Sequence, residues 1–161
     1  MNAQKLINQL EVIREMTIKS IPSITDEMAD EMPAGYRNTV RWHLGHIAAF
    51  TDLFLSNFAG LTPYLSEAHI SMFKSGSKPA DWGQTQPPTL EELATLLKGQ
   101  MEHIKSQFGT KNLEEKANKP LSLFGTEMDS IGEILNFSFY HEGQHLGHIK
   151  CRTSASPLKQ A

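Results

Sequence analysis

Three histidines near the C-terminus are the residues best suited to chemistry in this sequence. They stand in "HEGQHLGH", residues 141 to 148, and the first five letters match H-E-x-x-H, the helical motif with which one class of metallopeptidases binds zinc. If the segment is helical, His145 and His148 lie within about 40° of His141 around the helix axis. The apolar residues Ile134 and Phe137 lie within the same range. The imidazoles therefore continue a core-facing stripe, where an unpaired polar ring is costly and needs a partner.

Two more histidines, His43 and His46, stand in "RWHLGHI" at the edge of an apolar stripe on an earlier helical segment. His141 and His145, four residues apart on a buried face, can direct two ring nitrogens at one ion about 2.0 to 2.1 Å away. The clustering predicts a divalent metal site, and imidazole suits zinc, nickel, copper and iron alike. In the alternative interpretation, hydroxyls or backbone carbonyls satisfy each imidazole and no metal is bound.

A zinc peptidase needs a third ligand beyond the motif, and no Asp or Glu follows His145 in the sequence. His148 lies about 10.5 Å along the helix from His141, so the three rings of this helix do not converge easily on one ion. The third ligand is predicted to come from a facing helix, where His46 is best placed. Gly143, which costs about 1 kcal/mol in a helix relative to Ala, predicts a close backbone approach by a substrate or another helix.

Glu142 is a candidate general base by analogy with the zinc peptidases. It lies about 100° from His141 around the helix, off the metal stripe, and a solvated glutamate on the helix surface is an equal alternative. His43 suits the wall of a pocket or a hydrogen bond to a metal ligand, with a purely structural role as the alternative.

Four amphipathic segments must position these residues. The predicted helices, with Asn38 as the N-cap of the second and capping boxes at Thr89/Glu92 and Ser130/Glu133, span about residues 3–20, 39–58, 90–108 and 131–152. The Pro- and Gly-rich residues 59–88 are predicted to be a long connection with one short helix in "LSEAHISMF", and "LSLFG" is the only segment that suits a small strand. The prediction is an all-α antiparallel four-helix bundle with a long connection between helices 2 and 3.

Length and composition restrict the remaining possibilities. A chain of 161 residues predicts a single domain over 1–161, with 153–161 as a frayed tail. The net charge of −3 and the scattered Lys and Arg residues argue against a nucleic-acid partner. No apolar run approaches about 18 residues, which argues against a membrane partner. The single cysteine, Cys151, and the amphipathic N-terminus favour a cytoplasmic protein.

The motifs "RWHLGHI" and "SIGEILNFSFYHEGQHLGHI" resemble the DinB-like metalloprotein family, which carries W-x-x-x-H early and H-x-x-x-H-x-G-Q-I late, and the resemblance extends from the first helix through Ile149. It implies His46, His141 and His145 as metal ligands, zinc or nickel as the metal, an up-down-down-up arrangement and frequent homodimers. Some relatives transfer or isomerise small molecules with low-molecular-weight thiols such as bacillithiol or mycothiol. Where the family most often has Gln, this chain has His148, a candidate base, substrate contact or substitute ligand.

Three protein ligands would leave a coordination position open, the feature that distinguishes catalytic from structural metal sites. We therefore expect a metal-dependent transferase or hydrolase that acts on a small molecule, with a thiol as the cosubstrate that the resemblance suggests. His148 and Glu142 are the candidate catalytic residues. The alternatives are a non-catalytic metal-binding or stress-related protein, in which the ion joins two helices, and an H-E-x-x-H zinc peptidase.

Overall fold

The computed structural model describes residues 2–160, and helices account for 65% of the chain. The predominantly helical fold confirms the predicted class at this level. The α-helices are α1 Ala3–Ser20, α2 Asp26–Asp30, α3 Val40–Ala59, α4 Glu67–Phe73, α5 Leu90–Phe108 and α6 Ile131–Ala155. Short 3₁₀ turns span Ile21–Ser23, Pro79–Asp81 and Pro157–Gln160, and two strands, β1 Lys116–Leu123 and β2 Thr126–Ser130, form an antiparallel hairpin.

Local capping explains where the long helices begin. The side chains of Thr89 and Ser130 accept hydrogen bonds from the N3 backbone at the starts of α5 and α6, so both predicted capping boxes are confirmed. The prediction of Asn38 as the cap of α3 was wrong by one residue. Thr39 is the cap, because its hydroxyl accepts from the backbone N–H of Trp42 at 3.1 Å.

Helices α3 and α6, which carry the histidines, pack against each other, and α1 packs against both α5 and α6. The core divides into clusters of buried apolar side chains. One cluster joins α1, α3, α5 and α6, with Leu10, Leu55, Ile104 and Ile134 among its members. A second lies around α2 and the first half of α3, and contains Leu44, Ile47, Leu93 and Ile149. The histidine-bearing faces of α3 and α6 are thus held on a tightly packed interior.

The connection between α3 and α5 folds over α3 rather than away from it. The carboxylate of Asp52 accepts from the backbone N–H groups of Tyr64 and Leu65, and the indole N–H of Trp42 donates to the hydroxyl of Ser77. The predicted short helix in this connection is confirmed as α4, whose Phe73 is fully buried. The segment therefore covers the part of α3 that carries the histidines.

The hairpin is longer than the sequence predicted, since only "LSLFG" was expected to suit a strand. Its strands meet at Phe124 and Gly125, which have φ values of 50° and 83°. Most hairpin side chains are exposed or only partly buried, and Phe124 is fully exposed. The alternation of apolar and polar residues that marks a half-buried strand is therefore weak in this segment.

The segment predicted as a frayed tail, 153–161, contains the end of α6 and the 3₁₀ turn Pro157–Gln160, and Ala161 lies outside the described residues. Helix α6 continues to Ala155, and the hydroxyl of the buried Ser156 donates to the carboxylate of Glu31 at 2.8 Å. Across residues 2–160, no helix has both the length and the apolar character that crossing a membrane requires.

Candidate metal centre

The structure brings His46 of α3 together with His141 and His145 of α6. Each of the three offers a ring nitrogen, and these atoms all lie within 4.8 Å of one another. In the described part of the chain this is the one group of three or more His, Cys, Asp or Glu side chains with such spacing. Because α3 and α6 are packed together, residues about 100 positions apart in the sequence meet at one point.

His46 is buried and held in one orientation. Its Nδ1 lies 2.7 Å from the backbone carbonyl oxygen of Phe73, which only accepts, so Nδ1 carries the proton and Nε2 is left with a lone pair. The indole of Trp42 stacks on the imidazole with ring centroids 4.4 Å apart and planes 12° apart. Burial lowers the pKa of His46, although the bond to Phe73 works in the other direction. The ring is therefore a neutral ligand candidate.

His145 is oriented by a second histidine, His43. Their Nδ1 atoms lie 2.8 Å apart, so one ring donates and the other accepts. Burial, reinforced by the charge of His145, lowers the pKa of His43 to about 3. If His145 is the donor in this bond, its proton lies on Nδ1 and its Nε2 is left with a lone pair. The predicted hydrogen-bonding role of His43 thus has a specific partner.

His141 contributes the third nitrogen. Its Nε2 lies 3.2 Å from Nε2 of His145, its Nδ1 is buried without a hydrogen-bond partner in residues 2–160, and its ring stacks on Phe50 at 3.4 Å. Burial lowers the pKa of His141 to about 3 and that of His145 to about 4. Two nitrogens bound at about 2.0 to 2.1 Å to one tetrahedral ion are about 3.4 Å apart. The 3.2 Å contact between neutral imidazoles therefore suits two lone pairs that share a cation.

The cluster lies near the molecular surface. His46 is 4% exposed, whereas His141 and His145 are only partly buried on α6. The segment between α3 and α5 contributes the carbonyl and the ring of Phe73, and within residues 2–160 no fourth His, Cys, Asp or Glu joins the group. The donor set is compatible with a divalent metal that keeps a coordination position free.

His148 is exposed and lies beside the cluster rather than in it. Its ring is 5.5 Å from that of His43, with the planes 5° apart, and 6.4 Å from that of His145. It is not a member of the three-histidine group, so the substitute-ligand alternative is not supported. Its assignment as a base or a substrate contact stays a prediction.

Glu142 lies in a different environment from either alternative considered for it. Its side chain is buried, so the interpretation as a solvated surface glutamate was wrong. Its carboxylate accepts from Nε of Arg14 at 2.9 Å and from the hydroxyl of Thr17 at 2.8 Å, both on α1. The general-base assignment stays a prediction, but the contacts of this carboxylate are to α1. Sequence reasoning missed Arg14 because 128 positions separate the two residues.

The glycines of the two histidine motifs differ in their surroundings. No other helix approaches Gly143 closely, because a Cβ added there meets no atom within 4 Å, and the approach of a substrate to this glycine stays a prediction. Gly45, between the two histidines of α3, is the crowded one, since an added Cβ would overlap the ring of Phe73. The sequence signal for this contact was Gly45 within "WHLGH". A glycine there leaves room for Phe73, the residue whose carbonyl orients His46.

Comparison with known proteins identifies the family of this chain. The family model described as the DinB superfamily matches residues 9–149, which include α3, most of α6 and all three clustered histidines. No curated protein matches the sequence. Because the match covers most of the chain, this protein belongs to the DinB superfamily.

Proposed function

We propose that this protein is a metal-dependent enzyme that acts on a small molecule, as a transferase with a thiol cosubstrate or as a hydrolase. The observation that carries the proposal is the convergence of His46, His141 and His145 within 4.8 Å without a fourth protein ligand among the described residues. Zinc and nickel are the metals we expect, because neutral imidazole suits both. The peptidase alternative is set aside, because the carboxylate that it needs beside the ion is paired with Arg14.

A divalent ion held by the three histidines would supply Lewis-acid chemistry, lowering the pKa of a water or thiol that reaches it. The protein's own contribution is orientation. Phe73 and His43 fix the protons on Nδ1 of His46 and His145, so both rings present Nε2. In this proposal His148, exposed beside His43, accepts or donates a proton at the substrate.

The proposal extends to architecture. We place the four long helices α1, α3, α5 and α6 in the up-down-down-up bundle of the family, as one domain, with a homodimer as the assembly. The supporting observation is the packing of α6 against α3 and α1 and of α1 against α5.

A non-catalytic role is the second candidate. The observation that favours it is that one candidate ligand lies on α3 and two lie on α6. An ion bound by all three would therefore join the two helices. The two functions differ in what the metal does, since a structural ion raises stability without turnover.

The first experiment is elemental analysis of untagged protein. We expect about one divalent ion per chain in the wild type and its loss in both His46→Ala and His141→Ala, because three ligands are needed for a stable site. His103→Ala is the matched control, since His103 lies on α5 and contacts the carbonyl of Thr62. Metal-free wild type after reconstitution would contradict the proposal.

The second experiment separates the two functions. Small electrophiles are incubated with protein and either water or a low-molecular-weight thiol, and His148→Ala is compared at equal metal occupancy. Turnover that disappears in His46→Ala and falls in His148→Ala supports the enzyme. Metal-dependent stabilisation with no turnover on any electrophile supports the structural role.

A further inference from the structure

A continuous series of buried hydrogen bonds leads from α6 to α3 through the interior. Glu142 of α6 pairs with Arg14 of α1 at 2.9 Å, and Nη1 of Arg14 donates to the side-chain oxygen of Gln100 of α5 at 3.1 Å. The side-chain nitrogen of Gln100 then donates to the backbone carbonyl of Ala48 of α3 at 2.9 Å. One set of polar contacts therefore connects all four long helices.

Both ends of this series are close in sequence to the candidate metal ligands. Glu142 follows His141 directly in α6, and Ala48 stands two residues after His46 in α3. The residues Arg14 and Glu142 are 1% exposed and Gln100 is 0% exposed, so the contacts between them are shielded from water. Arg14 has a further bond to the carbonyl of Leu97, which ties it to the backbone of α5.

The buried hydrogen bonds of Arg14, Gln100 and Glu142 allow few other placements of α6 at similar energy. Turning α6 by one residue rotates its side chains by about 100° and removes Glu142 from Arg14. That movement leaves two buried charges unpaired, whereas apolar neighbours tolerate small shifts in packing. A fully satisfied buried network therefore specifies one rotation and one height of α6 relative to α3.

We propose that Arg14, Gln100 and Glu142 are positioning residues of the metal centre. They set α6 against α3 so that His141 and His145 meet His46, and the glutamate of the H-E-x-x-H motif serves orientation in this chain. The inference rests on the proposed metal function. The geometry that it explains is nevertheless that of the metal-free protein.

The test removes the network without leaving a buried charge. Arg14→Met with Glu142→Leu replaces the whole ion pair by apolar side chains, a change that buried pairs often tolerate. Gln100→Leu breaks the connection to Ala48 separately. Leu6→Ala is the control for lost stability, because Leu6 is a buried core residue of α1 about 12 Å along the helix from Arg14.

Two measurements are made on each variant at temperatures equally far below its melting point. The first is Co²⁺ titration followed by visible absorption, where we expect the double variant and Gln100→Leu to bind at least about tenfold more weakly, with an altered spectrum. The second is NMR of the histidine ring nitrogens in metal-free protein, where we expect the Nδ1 to Nδ1 bond of His43 and His145 to weaken. Leu6→Ala should match wild type in both.

Wild-type Co²⁺ affinity and unchanged histidine tautomers in the double variant would overturn the inference, as would equal losses in Leu6→Ala. Failure of the metal proposal has a different signature. Wild type would then take up no Co²⁺, while the tautomers of the metal-free variants would still show whether the network holds the histidines in place.

Discussion

The backbone carbonyl oxygen of Phe73 lies 2.7 Å from Nδ1 of His46. The ring of the same residue occupies the space that a side chain at position 45 would need. Phe73 thus orients a candidate ligand with its backbone and holds α4 against α3 with its side chain. The connection between α3 and α5 is therefore part of the site, although it contributes no ligand atom to the three-histidine group.

Gly45→Ala should damage the site without changing any of its polar groups. The added methyl overlaps the buried ring of Phe73, so α4 must move and the bond to His46 is lost or lengthened. We expect a loss of about 1 to 3 kcal/mol in the free energy of unfolding. Metal affinity should fall by about 10- to 100-fold. Chemical denaturation and Co²⁺ titration measure the two effects.

Gly147→Ala is the matched control, because it is also a helical glycine but a Cβ there meets no atom within 4 Å. Alanine should raise the free energy of unfolding by up to about 1 kcal/mol through helix propensity and leave metal affinity unchanged. Equal changes in unfolding free energy and metal affinity in Gly45→Ala and Gly147→Ala would show that the position of Phe73 does not depend on a glycine at position 45.

His43→Phe should weaken metal binding while keeping the volume of the ring. Phenylalanine offers no acceptor to Nδ1 of His145, whose orientation and tautomer are then no longer fixed. We expect the dissociation constant for Co²⁺ to rise by about 10- to 100-fold, with one ion per chain still bound at saturation. A constant equal to that of wild type would mean that His43 is structural only.

Metal-free protein should lose stability as the pH falls below about 6.5. Burial lowers the folded-state pKa of His43 and His141 to about 3 and that of His145 to about 4, whereas the unfolded chain titrates near 6.5. Between these values the unfolded state binds more protons, so stability rises with pH and is fully present above about 6.5. Each such histidine contributes a slope of up to about 1.4 kcal/mol per pH unit.

Urea unfolding in the presence of a chelator between about pH 5 and pH 7 measures this slope. His43→Phe removes one of these titrating groups and should reduce the slope by up to about 1.4 kcal/mol per pH unit. A free energy of unfolding that stays constant over this range in wild type would contradict the prediction.

Bound metal should stabilise the folded chain. An ion that binds only the folded state adds about 2.7 kcal/mol at a free concentration one hundred times its dissociation constant. We expect Zn²⁺ to raise the melting temperature of wild type, EDTA to reverse the rise, and His141→Ala to show neither change. An equal rise in His141→Ala would place the stabilising ion elsewhere in the protein.

The sequence by itself determined the helices and the face on which the histidines lie. Periodicity and capping are local properties, so α5 began at Leu90 and α6 at Ile131 as predicted. The spacing of His141 and His145 also placed two rings on one side of a helix, and His46 was the predicted partner from the facing helix.

Tertiary structure alone decided which groups orient those histidines. Glu142 meets Arg14 across 128 positions, His43 meets His145 across 102, and Phe73 fits against Gly45 through the course of a long connection. Neither periodicity nor residue type encodes such pairs, because they depend on how helices rotate and approach one another once packed. The hairpin was underestimated for a related reason, since its mostly exposed side chains leave little hydrophobic pattern to read.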